Sequence, residues 1–343
     1  MNNHVKLIIF YLILCLIFFT GYFSSPVYAE NWQDINKNGF VHLPPLDLDA
    51  PCSANGAFQS YFDFYNLNIP AAKHYFGSFR SNGYIIAANI FIPEKHKATL
   101  FLMHGYFDHT GILKDTIHFF VKKGYTVAVY DMPGHGLSSG ERVSIGDLRI
   151  YSSILNDFVT LCQSQIPSPA HIIAHSTGCS AVIDFILTTE DVPFDKVILI
   201  APLVRSYGWY LSKTGVFICN PFFKNIPRKF GKNSSNSHFL QFVKNDDPLQ
   251  YKKVPLQWPR ALFKWNGSIQ DYKVSSKKIL IIQGKLDKTV AWKYNLKILK
   301  QKFPNLEIKM IKNGRHHLLN ESPVLQKRIF NLILANIRQR SDN

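Results

Sequence analysis

HIIAHSTGCS, residues 171–180, decides the fold of this chain, because an apolar run stops at a serine between small residues and then resumes with helical spacing. The pattern predicts a strand, a sharp turn and a helix, with Ser176 at the turn. Such a turn crowds the backbone, and Ala174 and Gly178 supply the small residues it needs two positions before and after the serine. A serine presented in this way is typical of a nucleophile elbow. The alternative is an ordinary turn or helix-capping serine.

Apolar segments alternate with helical patterns along the rest of the chain. The predicted strands span residues 84–92, 99–104, 126–130, 171–174, 196–200, 278–283 and 306–311. The apolar positions of the predicted helices are Tyr151, Ile154, Leu155, Phe158 and Cys162; Cys179, Val182, Ile183, Ile186 and Leu187; and, in a helix capped by Ser322 and Pro323, Leu325, Ile329, Leu332 and Ile333. Several predicted strands are continuous apolar runs, as strands buried on both faces are. The alternation predicts an α/β fold, with a mostly parallel sheet covered on both sides.

Residues 206–276 interrupt this alternation, because they are rich in Lys, Asn, Pro and aromatic residues and lack a strand pattern. We expect a mainly helical lid insertion over the carboxyl ends of the strands, where α/β sheets bind ligands. Most of its aromatic residues are expected to form the lid's own small core, and a minority to line an apolar cleft with a basic rim. The prediction divides the chain into a signal peptide (1–29), a lead-in (30–57), a first core part (58–205), the lid (206–276) and a second core part (277–343).

Residues 1–29 have the features of a secretory signal. Lys6 precedes an apolar run from Leu7 to Phe19, and a small residue, Ala29, ends the segment. The apolar run is short for a membrane span, and an uncleaved membrane anchor is the alternative. We therefore expect a secreted or periplasmic protein.

The cysteines after this segment are Cys52, Cys162, Cys179 and Cys219. An exported protein permits disulfides without requiring them. Cys162 ends one predicted helix and Cys179 begins the next, so the two either pair or are buried as small apolar side chains. No CxxC pair or Cys/His cluster indicates a metal site, and we predict none.

The net charge of +16 at pH 7 points to an anionic partner. Such a field favours phospholipid headgroups or nucleic acid. The sequence shows no zinc finger, RNA-recognition signature or basic helix, so we expect an anionic membrane surface rather than nucleic acid. The alternative is that the charge serves solubility alone.

A reactive serine needs an imidazole base, an acid that orients the base, and N–H groups that hold an oxyanion. In this architecture the chain order is serine, acid, histidine. Asp287 follows the apolar strand KILIIQG, so it lies just beyond a strand end, although a turn or helix-capping role is the alternative. His316 and His317 follow the next strand, and only one of them can be the base.

Two backbone amides are candidates for the oxyanion site. The N–H of Thr177 is fixed by its position directly after Ser176. The strand TLFLMHG ends in His104 and Gly105, and the glycine lets the backbone approach closely, so that the amide of Tyr106 is the second candidate.

Five segments in this order resemble the branch of the α/β-hydrolases that contains bacterial lysophospholipases, monoacylglycerol lipases and serine-aminopeptidase-like (S33-type) relatives. The segments are HGYFDHTG (104–111), YDMPGHGLSSGERVSIGDL (130–148), AHSTG (174–178), LDKTV (286–290) and GRHHLLNE (314–321). The resemblance covers the chain from about residue 75 onwards. It implies Ser176 as nucleophile, Asp287 as acid and His316 as base, with the amides of Tyr106 and Thr177 as oxyanion donors. His317 stands where an acidic residue is common in the family.

The same resemblance assigns further residues. Asp131, Gly134, His135 and Gly136 match a D-x-x-G-H-G turn that is mainly structural, although Asp131 is the chief rival for the acid role. His104, Gly105 and His109 are implied as turn and pocket-wall residues and are the candidates for substrate binding. Ala174 departs from the family's usual glycine.

The sequence therefore predicts a serine hydrolase that cleaves carboxylic esters of single-chain lipids, lysophospholipid first and monoacylglycerol second. No metal or organic cofactor is expected. One alternative keeps the three residues and assigns small esters or peptides as substrates. Another is a catalytically silent lipid-binding module.

Overall fold

A computed structural model of the chain describes residues 32–34, 42–52, 58–163 and 165–339. The predicted signal peptide and much of the predicted lead-in lie outside these residues. Among the helices that the structure describes, none has the length and apolar character needed to cross a membrane.

In the part of the chain that the structure describes, eight strands form one sheet in the order β1-β2-β4-β3-β5-β6-β9-β10, and two short strands pair separately. The strands are β1 (Ala72–Ser81), β2 (Tyr84–Pro93), β3 (Thr99–Met103), β4 (Thr126–Tyr130), β5 (Ala170–His175), β6 (Lys196–Ile200), β7 (Asn225–Pro227), β8 (Lys253–Pro255), β9 (Ile279–Gly284) and β10 (Leu306–Ile311). Strand β2 runs antiparallel to β1 and to β4. The remaining neighbours in the large sheet, β4-β3-β5-β6-β9-β10, are all parallel. The predicted α/β-hydrolase fold is confirmed.

Nine helices accompany these strands in the described part of the chain. They are α1 (Gln59–Phe64), α2 (Lys114–Lys122), α3 (Arg149–Gln163), α4 (Thr177–Thr188), α5 (Trp209–Cys219), α6 (Ser237–Gln241), α7 (Gln257–Ser268), α8 (Trp292–Lys302) and α9 (Pro323–Arg338), with short 3-10 turns at Trp32–Asp34, Thr110–Leu113 and Leu318–Asn320 and a π turn at Phe242–Asp246.

Alternate residues of the central strands enter two separate cores. On β3, Phe101 and Met103 pack with α3, α4 and α8, whereas Leu100 and Leu102 pack with α2 and α9. This follows from the period of two along a strand, which points successive side chains to opposite faces. The sheet is thus covered on both sides, and the loops at its carboxyl edge are held from two directions.

Strand β1 and the pair β7–β8 were not predicted. β1 is the edge strand, and its ten residues mix buried, half-buried and exposed positions, so they form no continuous apolar run. β7 and β8 have three residues each and end in proline, which leaves too short a pattern to recognise.

Ser322 occupies the N-cap position of α9, as predicted, although its side chain makes no capping hydrogen bond. Pro323 instead fits the first helical turn, where its missing N–H costs nothing. Leu325 and Leu332 are only partly buried, since the inward face of the helix also includes Phe330 and Leu334.

Cys162 and Cys179 are free thiols, so the possible disulfide between them is not formed. The Cys179 thiol instead donates to the carbonyl of Ala174 at 3.1 Å. Burial raises the pKa of the Cys162 thiol to about 12, which leaves it unreactive.

Helices α5, α6 and α7 and the β7–β8 pair all lie between β6 and β9, within the predicted lid. The expectation that most lid aromatics form a separate lid core is wrong. Trp258 and Trp265 on α7 join the main core of the sheet, whereas Tyr210, Phe217 and Phe222 are each more than 70 % exposed.

Candidate active site

The turn after β5 is strained at Ser176, whose φ of 51° and ψ of −109° are rare for a residue with a side chain. Its N–H donates to the carbonyl of Ile200 on the neighbouring strand at 3.0 Å, which fixes the turn to the sheet. Ser176 stands at the N-cap position of α4, yet its side chain makes no capping hydrogen bond. The alternative of an ordinary capping serine is therefore wrong.

Gly178 is required by this turn. A Cβ on it would lie 2.6 Å from the carbonyl oxygen of His104 and 2.8 Å from the Cβ of Met103. A glycine lets α4 start in direct contact with the loop after β3, which brings that loop beside Ser176. Ala174, the departure from the family pattern, is fully buried on β5.

Ser176, His316 and Asp287 form one hydrogen-bonded chain. The Oγ of Ser176 lies 2.9 Å from Nε2 of His316, and Nδ1 of His316 lies 2.8 Å from Oδ2 of Asp287. All three residues are at most 5 % exposed. A carboxylate can only accept a hydrogen bond, so Nδ1 of His316 carries the hydrogen. Nε2 of His316 therefore presents its lone pair to the hydroxyl of Ser176. This arrangement can remove a proton from the serine.

Asp287 is held as an anion. Burial alone raises its pKa, but the charge and hydrogen bond of His316 and the amides of Thr289 and Val290 outweigh burial and lower the pKa to about 2. The two amides donate to Oδ1 at 2.8 and 3.2 Å, and Gln283 donates to Oδ2 at 3.1 Å. The carboxylate is thus charged at neutral pH and fixed in orientation.

The loop that carries His316 is anchored by two residues that the sequence analysis did not identify. The amides of His316 and His317 both donate to the carbonyl of Asn233 in the insertion, at 3.0 and 2.9 Å. Glu321 accepts from the amides of Arg315 and Ser235 at 2.6 and 2.7 Å. The insertion therefore helps to hold the histidine, although no short motif marks these contacts.

His317 lies beside Asp108, with Nδ1 of the histidine 3.8 Å from Oδ2 of the aspartate. Burial lowers the pKa of His317 to about 3 despite the opposing effect of Asp108. Of the two adjacent histidines, only His316 is hydrogen-bonded to Ser176.

The amides of Tyr106 and Thr177 are both unused in the described part of the chain, since neither donates to a backbone or side-chain acceptor there. Thr177 is the first residue of α4, where helical N–H groups lack internal partners. A Cβ at Gly105 would lie only 3.2 Å from the Cβ of Ser176, so the glycine lets the Tyr106 loop approach the serine.

Asp131, the rival acid, is committed elsewhere. Its carboxylate accepts from the amide and hydroxyl of Thr110, each at 2.7 Å, and from the amide of Leu137 at 2.9 Å. A Cβ at Gly136 would lie 2.0 Å from this carboxylate, which explains the glycine of the turn. The rival assignment is wrong, because the carboxylate clamps two loops.

The candidates for substrate binding, His104, Gly105 and His109, do not line the cavity described below. His104 is fully buried and accepts from the amide of Met132 at 2.9 Å. His109 is fully buried too, with Nε2 3.0 Å from Oδ2 of Asp247. These residues are structural, because their polar atoms face the protein.

A cavity of about 670 Å³ opens over Ser176 and His316. Its apolar wall includes Tyr106, Phe107, Leu203, Leu240, Val243, Val254 and Trp258. Its cations are Arg228, Lys229, Lys232, Lys244 and Lys288, and no Asp or Glu is among the described residues that line it. The predicted apolar cleft with basic groups is present, and the chain around Arg228 supplies much of its wall, together with Trp258 of α7.

For two residues of the cavity wall, Trp258 and Arg228, the sequence indicated no individual role. The ring of Trp258 stacks on Tyr106 with centroids 3.8 Å apart, so it fixes the loop that carries the Tyr106 amide. The guanidinium of Arg228 lies 3.8 Å from the ring centroid of Phe107 and donates to Gln250 at 2.7 Å. Both residues belong to the aromatic and basic pattern of the insertion, but that pattern does not single them out.

The sequence model of the family described as serine aminopeptidase, S33, matches residues 94–323. The chain belongs to the S33 family. Solved structures similar to this S33 protein include a soluble variant of monoglyceride lipase from Saccharomyces cerevisiae in complex with a substrate analog (TM-score 0.64, 15 % identity, 75 % of this chain and 92 % of the other). Another is monoacylglycerol lipase from Paleococcus ferrophilus (TM-score 0.63, 16 % identity, 73 % and 97 %). These likenesses show the fold.

Curated relatives of this S33 protein include mouse monoglyceride lipase, 29 % identical over 109 residues that cover 32 % of this chain and 36 % of the mouse protein. A monoglyceride lipase homolog of monkeypox virus is 25 % identical over 246 residues, 68 % of this chain and 86 % of the relative. Monoacylglycerol lipase of Mycolicibacterium smegmatis is 23 % identical over 217 residues, 61 % and 77 %. The match spans about a third of the mouse relative's length.

Proposed function

We propose that this S33 protein is a serine hydrolase that cleaves carboxylic esters of single-acyl lipids. The observation that carries the proposal is the chain from Ser176 through His316 to Asp287, with distances of 2.9 and 2.8 Å, at one end of an apolar cavity. The names of the similar proteins, monoglyceride and monoacylglycerol lipases, support the same class of reaction.

The reaction proceeds in two steps. Ser176 Oγ attacks the ester carbonyl while His316 Nε2 takes the hydroxyl proton, and the amides of Tyr106 and Thr177 donate to the oxyanion. His316 then returns the proton to the leaving glycerol oxygen, which leaves the acyl group on Ser176. Water attacks this acyl-enzyme with His316 again as base, and the products are a fatty acid and the free serine. Asp287 holds the imidazole and stabilises its positive charge.

Lysophospholipid is the first substrate class that we propose. The apolar wall suits a single acyl chain, and the cationic groups of the lining, unopposed by a lining carboxylate, suit a phosphate. Arg228 is central to this choice, because burial lowers its pKa only to about 10, and the guanidinium therefore remains charged at neutral pH. Arginine matches phosphate oxygens through paired N–H donors.

Monoacylglycerol is the second candidate, favoured by the names of the similar proteins. The two candidates are separated by assaying lysophosphatidic acid and monoacylglycerol that carry the same acyl chain. We expect Arg228→Gln to lower kcat/KM for the phosphate-bearing lipid by about tenfold or more, since a hydrogen bond to a charged group contributes about 1.5–3 kcal/mol, and to change the monoacylglycerol rate little. Arg260→Gln, an exposed arginine of α7 outside the cavity lining, is the matched control.

An equal loss on both lipids in the Arg228 variant would favour monoacylglycerol. Release of an amino acid from a small peptide, without release of fatty acid from either lipid, would replace the lipid proposal with a peptidase. Activity on neither class, with the cavity still binding lipid, would indicate the silent lipid-binding module.

We further propose that the protein meets its substrate at an anionic membrane surface. On α5 and just after it, apolar side chains are exposed beside basic ones: Leu211 and Phe217 are each 81 % exposed, and Lys213 and Lys224 are exposed near them. Apolar residues with flanking cations suit a membrane interface. Export through residues 1–29 stays a prediction, and N-terminal sequencing of the protein recovered outside the cytoplasm tests it.

A further inference from the structure

Asp108, His175 and His317 form a second buried cluster beside the Ser176–His316 pair. Asp108 follows β3, His175 ends β5, and His317 follows β10. Oδ2 of Asp108 lies 3.3 Å from Nδ1 of His175 and 3.8 Å from Nδ1 of His317. Each of the three residues offers one potential ligand atom, and these atoms lie within 4.8 Å of one another. Each residue is at most 7 % exposed. The sequence did not indicate this group, because its members are far apart along the chain.

The hydrogen-bonding pattern of His175 directs a lone pair into the cluster. Nε2 of His175 lies 3.1 Å from the carbonyl oxygen of His316, and a carbonyl only accepts, so Nε2 carries the hydrogen. In the neutral imidazole, Nδ1 then presents its lone pair to the carboxylate of Asp108. Two electron-rich atoms at 3.3 Å require a positive charge between them, either a proton or a metal ion.

His317 supplies the second, independent observation. Its Nδ1 is buried and has no hydrogen-bond partner in the part of the chain that the structure describes, and it faces Asp108. A buried nitrogen without a partner destabilises the folded protein, so it needs an explanation. A cation shared with His175 and Asp108 provides one.

We propose that Asp108, His175 and His317 bind one divalent transition-metal ion of the zinc class. Two imidazoles and one carboxylate are a common ligand set for Zn²⁺ sites that keep an open position. Bonds of about 2.0–2.2 Å in a tetrahedron place ligand atoms about 3.3–3.5 Å apart. The distances from Asp108 to the two histidines, 3.3 and 3.8 Å, are close to this value.

Two further features fit this ion. A metal-bound histidine usually donates its other ring N–H to a carbonyl, as His175 does to His316. His175 and His317 also line the cavity, so a metal ion can enter there and take water as its fourth ligand. Gly105 keeps the space open, because a Cβ on it would lie 2.8 Å from Nδ1 of His175 and 2.9 Å from Oδ2 of Asp108.

The ion would connect three loops of the active site. Asp108 lies two residues after Tyr106, His175 precedes Ser176, and His317 follows His316. Binding therefore stabilises the folded protein and fixes the spacing of these loops. The inference goes beyond ester hydrolysis and does not depend on it, since the ligands include none of Ser176, His316 or Asp287.

The test is Zn²⁺ binding to the purified tag-free protein, stripped with a chelator and titrated by calorimetry at neutral pH. We expect one ion per chain, a higher unfolding temperature with Zn²⁺, and a visible absorption spectrum of tetrahedral Co²⁺ when Co²⁺ is added instead. His317→Leu and Asp108→Asn should each weaken binding by at least about 100-fold, because even second-shell changes cost 10–100-fold. His238→Gln, an exposed histidine of the insertion, should bind as the wild type does.

Binding well below one ion per chain, or unchanged affinity in both folded ligand variants, overturns the proposal. If His317→Leu fails to fold, as judged by circular dichroism, the isosteric Asp108→Asn decides. Ser176→Ala separates this inference from the proposed function, since it should bind Zn²⁺ with wild-type affinity whether or not Ser176 is the nucleophile.

Discussion

The carboxyl edge of the sheet and the outer surface of the insertion differ in how firmly their functional side chains are held. At the sheet edge, Asp287 has four hydrogen-bond donors within 3.2 Å and its partner His316 is fixed between it and Ser176. On the insertion, Leu211 and Phe217 are 81 % exposed. In the proposed function, the reaction would therefore depend on rigidly held side chains, whereas the proposed contact with a lipid surface would depend on exposed side chains that tolerate substitution.

Loss of the reactive pair gives the largest expected effect. Ser176→Ala and His316→Ala should each lower ester hydrolysis by roughly 10⁴–10⁶-fold, because residues that act as a unit are each indispensable. The free energy of unfolding should stay close to the wild-type value. Fatty-acid release and thermal unfolding measure the two quantities, and His238→Ala controls for removal of a histidine. Substantial ester hydrolysis by either variant would show that these side chains at the sheet edge do not carry out the reaction.

Substitution of Asp287 is expected to lower catalysis, whereas substitution of Asp131, at the same edge of the sheet, is expected to lower folding stability. Asp287→Asn should lower kcat by about 10³–10⁴-fold, since the amide no longer holds the proper tautomer of His316. Asp131→Asn should cost about 1–3 kcal/mol of folding free energy instead, because Asn cannot accept from all the donors that now meet Asp131. Denaturant unfolding and steady-state kinetics on both variants check this. The reverse pattern would restore Asp131 as the acid.

Much of the carboxyl edge of the sheet was predictable from the sequence, because local residue patterns mark its strands and the turn at Ser176. Strands β2 to β6 are short apolar runs, and the small residues around Ser176 mark the turn. Chain order then points to Asp287 and to either His316 or His317, and the resemblance to the S33-type relatives selects His316. The clamp of Asp131, the anchors Asn233 and Glu321 and the Asp108 cluster depend on contacts between distant loops, so no local pattern indicates them. His104 and His109 were misplaced because a loop near the site can still turn its side chains into the protein.

Substitution of one glycine in each region tests the difference between the sheet edge and the insertion. Gly178→Ala should destabilise the protein by about 1–3 kcal/mol and lower activity, because its Cβ would lie 2.6 Å from a carbonyl oxygen. Gly267→Ala, inside α7 of the insertion, has open space for its Cβ and should stabilise the protein by about 0.5–1 kcal/mol. Equal effects of the two substitutions on chemical denaturation would contradict the distinction.

The smallest effect on stability is expected on the surface of α5. Leu211→Ser combined with Phe217→Ser should change the free energy of unfolding by no more than about 1 kcal/mol, as exposed substitutions do. Binding to phosphatidylglycerol vesicles should nevertheless weaken, while hydrolysis of a short water-soluble ester should not. Val324→Ser on α9, which is also 81 % exposed, is the control. Equal vesicle binding by the α5 and α9 variants would exclude α5 from the membrane contact.

The proposed function requires that His316 and Asp287 activate Ser176. A fluorophosphonate probe tests it directly, because the probe reacts with activated serines and its position can be read by mass spectrometry of peptides. We expect one adduct per chain, on Ser176, formed rapidly in the wild type and at least about 10³-fold more slowly in folded His316→Ala. Labelling at another residue, or equal labelling rates in the wild type and the His316 variant, would show that His316 does not activate Ser176.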